Sequence, residues 1–151
     1  MLPIFDLKPL KKEFYSKLIL ALAIGLAGWG ITATGIIPTL TALSGKTSFF
    51  ILFAIFFAFQ TWHNKQIKKI LEIAIEEPDM DEKFRIYIQY YTKKLFYSVG
   101  DVAINSIFFI ITLNTWFLYI NLIPFVFLLA SFPRKAIISM ELKNEDIEFI
   151  G

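Results

Sequence analysis

The chain contains no cysteine and a single histidine, His63, among its 151 residues. The lack of cysteine excludes disulfides, thiolate metal sites and cysteine nucleophiles. There is also no glycine-rich phosphate loop, and no cluster of carboxylates lies within an apolar segment. Because an active site needs several such groups together, we predict no catalytic residue, no metal site, no cofactor and no enzymatic activity.

Strong charge of one sign is lacking as well, since the formal net charge is only +2. The most charged segment, residues 65–94, carries nearly as many acidic as basic side chains. A nucleic-acid-binding surface needs a net basic face. Nucleic acid is therefore excluded as a predicted partner.

Apolar side chains are abundant: hydrophobic residues make up 56% of the chain, and there are 17 phenylalanines. A water-soluble chain of this length has too little interior to bury so many large apolar groups. The excess must face an apolar medium. We therefore predict an all-α integral membrane protein whose first partner is the lipid bilayer.

Three stretches are long enough to enter a membrane, where one crossing takes roughly 20 helical residues. Residues 18–44 carry no charge, residues 47–63 are rich in phenylalanine, and residues 95–133 carry a single charge, Asp101. The third stretch suits two crossings, so we predict a bundle of four transmembrane helices. In chain order the segments are an interfacial N-terminus (1–17), a first span (18–44), a second span (47–63), a cytoplasmic helical hairpin (64–94), a third span (95–113), a fourth span (115–133) and a cytoplasmic tail (134–151).

The division of residues 95–133 rests on a weak turn signal at Asn114-Thr115-Trp116, because no glycine or proline lies there. Asn121 and Pro124 offer a second break. A re-entrant hairpin, which enters the membrane and returns on the same side, is the alternative to two full spans.

Orientation follows from the basic residues, which favour the cytoplasmic side of a membrane. With four spans, every lysine and arginine except Lys46 falls on one side, together with both termini. We therefore expect cytoplasmic termini. The bacterial inner membrane is the expected location, from the general abundance of small polytopic chains there rather than from a motif.

Two cytoplasmic segments have local signals of their own. Pro78 interrupts the predicted hairpin, and Asp79 with Glu82 resembles a capping box at the start of a new helix. Residues 84–90 also alternate like a strand, but the flanking patterns favour a helix.

The tail alternates between apolar and polar residues over 138–142 and 147–150. A short C-terminal β-hairpin, a frayed helix and a disordered tail all fit that tail pattern.

Asp101 is the strongest candidate for a functional residue, because an ionisable group within a span is costly. Asn105 follows it at helical spacing, and His63 is predicted to lie at a similar depth. These three residues are the candidates for an ion or proton site. The structural alternative is an acid that reaches interfacial water or pairs with a lysine such as Lys17, Lys65 or Lys94.

The first span carries small side chains on two neighbouring faces. Small residues let helices approach closely in lipid, so these faces predict packing within the chain, between chains, or both. The first face comprises Ala21, Gly25, Gly28, Thr32 and Gly35, and the second comprises Ala23, Ala27, Gly30 and Thr34.

Two functions follow from these patterns. The first is a small polytopic protein acting by helix–helix association, as a homo-oligomer or as an accessory, effector or immunity-type subunit of a membrane complex. The alternative is an oligomeric ion or proton channel or transporter that uses Asp101 within the membrane.

Overall fold

A computed structural model of the protein describes residues 4–35 and 46–151, and this part of the chain is mostly helical. The last part of the predicted first span, residues 36–44, lies outside the described residues. In chain order the elements are β1 (Ile4–Asp6), α1 (Lys8–Thr34), α2 (Lys46–Glu76), α3 (Met80–Thr112), α4 (Trp116–Ala130), α5 (Lys135–Leu142) and β2 (Glu148–Ile150).

The boundary between α2 and α3 has a local cause. Helix α2 ends at Glu76, before Pro78, and the Asp79 carboxylate accepts hydrogen bonds from the backbone N–H groups of Asp81 (2.9 Å) and Glu82 (3.1 Å). The predicted cap at Asp79 is confirmed. The capping box is only half formed, because the Glu82 side chain binds Arg85, and Glu77 accepts the hydrogen bond from the Asp79 N–H. Residues 84–90 are helical, as the flanking patterns predicted.

Helix α3 lies at the centre of the fold and packs against α1, α2 and α4. Contacts at both ends show that α1 runs parallel to α3, with Phe5 just before α1 stacking on Phe84 and Gly28 lying against Ser106. Helix α2 runs in the opposite direction. Helix α4 is also antiparallel to α3, since Phe117 meets Phe108, and Tyr91 donates a hydrogen bond to the carbonyl that follows α4, that of Ser131.

The two strands bring the chain ends together. β1 pairs in parallel with β2, Phe5 lies opposite Phe149, and the Leu7 N–H donates to the Ile150 carbonyl at 2.9 Å. The end of the helices beside these strands is called the terminal end below, and the end beside Lys46 is called the distal end. The predicted C-terminal β-hairpin is wrong, because residues 138–142 belong to α5 and β2 finds its partner at the other end of the chain.

Large apolar side chains cover much of the outside of the helices. Ile19, Leu26, Phe50 and Leu122 are each 60% or more exposed. Water does not favour such a surface, whereas lipid does. Among the described residues, α1 and α3 are long and apolar enough to cross a membrane, and α4 with α5 form a pair bent by 91° that could be a broken span or a re-entrant segment. The protein therefore has the helices of a membrane-associated protein.

The predicted segments differ from the helices in their limits. The N-terminus predicted over residues 1–17 and the first span are not separate, because α1 runs unbroken from Lys8 to Thr34. Helix α4 has only 15 residues, which at about 1.5 Å per residue is shorter than a bilayer core. The residues after α4 continue through the bend into α5 and on to β2 at the terminal end.

Candidate functional site

Asp101 lies inside the fold, on the side of α3 that faces α2. Its side chain is buried, with 3% of the residue exposed. Gln60 Nε2 donates a hydrogen bond of 3.3 Å to Asp101 Oδ2, and His63 Nε2 lies 3.6 Å from the same oxygen. Asp101 Oδ1 has no hydrogen-bond partner among the described residues. Within the described residues, the basic side chain within 4 Å of this carboxylate is His63 rather than a lysine.

His63 is held in place mainly by aromatic rings. Its imidazole stacks on Tyr97, with ring centroids 4.8 Å apart and planes within 7°, and Phe59 packs edge-on at 5.2 Å. The residue is 4% exposed, and its Nδ1 has no partner within the described chain. Packing between α2 and α3 thus brings together two candidates that are far apart in sequence.

A polar cavity of about 190 Å³ adjoins the acid. Helices α2, α3 and α4 all contribute to its walls, and Asn64 on its rim is exposed. A polar space of this size can hold ordered water. The lining residues are Gln60, His63, Asn64, Ile67, Lys94, Ser98, Asp101, Pro124, Phe127 and Ser131.

Asn105 lies one turn beyond Asp101 on α3 and is fully buried. Neither of its amide atoms, Nδ2 and Oδ1, has a hydrogen-bond partner in the described ranges. Asn121 on α4 donates a hydrogen bond to Ser106 Oγ on α3 at 3.2 Å. Asn105 is not among the residues that line the cavity.

A second polar cluster, the Glu141 cluster, comprises Tyr87, Tyr90, Lys94 and Glu141 at the terminal end. The Glu141 carboxylate on α5 accepts hydrogen bonds from Tyr87 (2.5 Å), Tyr90 (3.0 Å) and the Lys94 ammonium (2.9 Å). Lys94, which was expected to reach Asp101, is therefore held by Glu141. Burial and the neighbouring Glu141 charge raise the pKa values of the Tyr87 and Tyr90 phenols, so both remain neutral donors.

The Glu141 cluster, Gln60 and Asn64 are functional candidates that the sequence patterns missed. The spacing of Tyr87, Tyr90 and Lys94 on one side of α3 is a signal that they share a face. Nothing local indicates that an acid from α5 completes the group.

The first small-residue face of α1 packs inside the same chain. A Cβ at Gly28 would lie 3.0 Å from Ser106 Cβ on α3, and one at Gly25 would lie 3.5 Å from the Phe125 ring of α4. Ala21 is fully buried. Thr32 donates to the Trp29 carbonyl, and Gly35 is the exposed left-handed cap of the helix with φ 65°.

Comparisons with protein-family models, with curated proteins and with solved structures each find no match to this chain. Within the part of the chain that the structure describes, no group of three or more His, Asp or Glu side chains could hold a metal ion.

Proposed function

We propose that the chain crosses the membrane four times, with α1, α2, α3 and α4 as the crossing helices and both termini in the cytoplasm. Neighbours along the chain alternate in direction, and the parallel pairing of β1 with β2 holds both termini at the terminal end. Two ends that share hydrogen bonds lie on one side of a membrane, so the number of crossings is even. This pairing supports two or four crossings over a three-span topology.

The charges support the same topology. Lysines and arginines lie at the start of α1, around the α2–α3 turn and after α4, which are all at the terminal end, whereas Lys46 alone lies at the distal end. Basic residues favour the cytoplasmic side. The terminal end is therefore the cytoplasmic one.

A chain without cysteine allows a direct test of this topology by labelling single introduced cysteines. We expect Lys46→Cys and Thr115→Cys, both exposed at the distal end, to react with a membrane-impermeant maleimide added outside intact cells. Lys68→Cys and Lys143→Cys, exposed at the terminal end, should react only after the membrane is opened. If Thr115→Cys is protected from both sides, residues 95–133 form a re-entrant hairpin and the fourth crossing is wrong.

For its activity, we propose that the protein works by helix–helix association in the membrane, as a homo-oligomer or as an accessory, effector or immunity-type subunit. One observation carries this proposal: the second small-residue face of α1 is left open by residues 4–35 and 46–151, the described part of the chain. Ala23, Ala27 and Thr34 are exposed, and a Cβ at Gly30 would meet nothing within 4 Å. Such a face allows close approach of another transmembrane helix.

Gly30→Leu tests the association face without disturbing the single chain. Because open space surrounds Gly30, the variant should fold, but the added side chain would separate the contacting helices. We expect the dissociation constant of the oligomer to rise at least about tenfold, equivalent to about 1.4 kcal/mol. Sedimentation in mild detergent and energy transfer between labelled chains in bilayers measure this change.

The matched control is Gly100→Leu, a glycine of α3 with nothing within 4 Å of its added Cβ. It should leave the association unchanged. A wild-type protein that is monomeric in bilayers and in mild detergent, with no stoichiometric partner, would refute association as the activity.

An ion or proton pathway is the second candidate, favoured by the burial of Asp101 beside a polar cavity. In a channel shared between chains, Asp101 and Asn105 would have to face a neighbouring subunit, yet both are buried within one chain. The geometry therefore favours a site inside a single chain over a pore between subunits.

A further inference from the structure

The charges around Asp101 leave one negative charge without compensation. Lys94 lines the same cavity, but its ammonium group lies 2.9 Å from Glu141, so these two charges neutralise each other. Within the described residues, His63 is the only basic side chain within 4 Å of the Asp101 carboxylate. An ionised Asp101 beside a neutral imidazole would be a buried, unpaired charge, which is strongly unfavourable.

One added proton removes this imbalance. It can reside on the carboxyl group, or on the imidazole to give an imidazolium–carboxylate pair, and in both cases the site is neutral. A second proton would create a buried positive charge. Two groups this close titrate as a coupled pair, and the 3.6 Å separation of Nε2 and Oδ2 allows a small movement to join them.

The proton also has a route. The cavity is lined by the exposed Asn64, one turn of α2 closer to the terminal end than Gln60, and also by Asp101 and His63. Water in such a cavity can carry protons between the pair and the aqueous phase. Asp101 Oδ1 and His63 Nδ1 are buried and have no hydrogen-bond partner among the described residues, so both atoms keep the capacity to bind a proton or a water.

We infer that Asp101 and His63 together bind one exchangeable proton, taken up from the terminal end through the polar cavity. All the residues of this site belong to one chain, so proton binding does not require the helix–helix association proposed above. Besides His63 on α2 and Asp101 on α3, the titratable groups near the pair are Lys94 and Tyr97 on α3. The part of α4 that lines the cavity contributes none, and Glu141 on α5 acts only through its ion pair with Lys94.

The test uses the full chain in lipid nanodiscs, where His63 as the sole histidine gives unambiguous nitrogen NMR signals. Infrared difference spectra report protonated carboxyl groups in parallel. As the pH falls from about 8 to about 5, the usual range of imidazole titration, the wild type should gain one proton per chain. The proton is seen as imidazolium by NMR, as a protonated carboxyl band in the infrared, or as fractions of both that sum to one. In Asp101→Asn the imidazolium population at a given pH should fall at least about tenfold, because the neighbouring carboxylate that stabilises it is gone.

The complementary variant is His63→Asn, which should retain a protonated carboxyl band near neutral pH, since Asp101 must then hold the proton alone. Asp146→Asn, which replaces an exposed acid on the tail, should change neither signal. A histidine titration that is identical in wild type and Asp101→Asn, with no protonated carboxyl band in the wild type, overturns the inference. A carboxylate that stays ionised beside an imidazole that stays neutral throughout, or a pair that is neutralised by added sodium or potassium instead of by protons, overturns it as well.

Discussion

Replacing Gly28 with leucine is expected to destabilise the fold by about 3 kcal/mol, at the upper end of the range for overpacked interiors. A Cβ at this position would already lie 3.0 Å from the Cβ and 3.3 Å from the Oγ of Ser106. Three further carbon atoms of leucine have no space between α1 and α3. Ser106 cannot move freely, because it is buried and its Oγ accepts a hydrogen bond from Asn121.

The measurement is unfolding of the purified protein in mild detergent, followed by helical circular dichroism. Gly30→Leu is the matched control, with the same change on the same helix but open space around the new side chain. The gain of helix propensity, about 0.8–1 kcal/mol, is common to both variants and cancels. Equal stability of the two variants would show that α1 does not pack on α3 through Gly28.

Replacing Glu141 with alanine is expected to release α5 from α3, at a loss of about 3 kcal/mol. The substitution removes the acceptor of three hydrogen bonds and leaves the Lys94 ammonium without its partner. Hydrogen bonds to charged groups contribute about 1.5–3 kcal/mol each and are not additive. The Lys94 and Glu141 side chains are 25% and 16% exposed, and water screens their charges. The expected loss is therefore smaller than three such bonds would give if they were added at the low end of the range.

Limited proteolysis measures this release directly, since trypsin can cleave after Lys135 and Lys143 once α5 leaves α3. We expect cleavage of Glu141→Ala to be at least about tenfold faster than cleavage of the wild type, and unfolding in detergent to need less heat. Glu145→Ala, an exposed acid on the same tail, should behave like the wild type. If Glu141→Ala resists trypsin as well as the wild type does, Glu141 does not hold α5 in place.

Local signals predicted local structure well. Asp79 caps α3 because its carboxylate accepts hydrogen bonds from N–H groups two and three residues away. This contact involves only neighbouring residues, so the local sequence is enough to predict it. The break at Pro78 is equally local, since proline cannot continue a helix hydrogen-bond pattern. Residues 84–90 fitted both a strand period and a helix period, and the helical patterns on both sides correctly indicated a helix.

The tail shows why a period can mislead. Ile138 and Leu142 belong to an alternating pattern, but they are also four residues apart, and both are buried on one face of α5. Strand β2 does form, yet its partner is Ile4–Asp6 at the opposite end of the chain. The residues next to β2 do not indicate a partner strand so far away in the sequence, so this pairing could not be predicted from local patterns.

Composition and order along the chain were sufficient to predict apolar helices, basic residues gathered at one end, and an acid within an apolar stretch. These properties depend on each residue's own transfer from water to lipid and on its immediate neighbours. Packing alone decided that His63 and Gln60 lie beside Asp101, that Glu141 takes Lys94, and that Gly28 meets Ser106 of the same chain. Such contacts depend on how whole helices align, and the free energy of that alignment is shared among many residues far apart in the sequence.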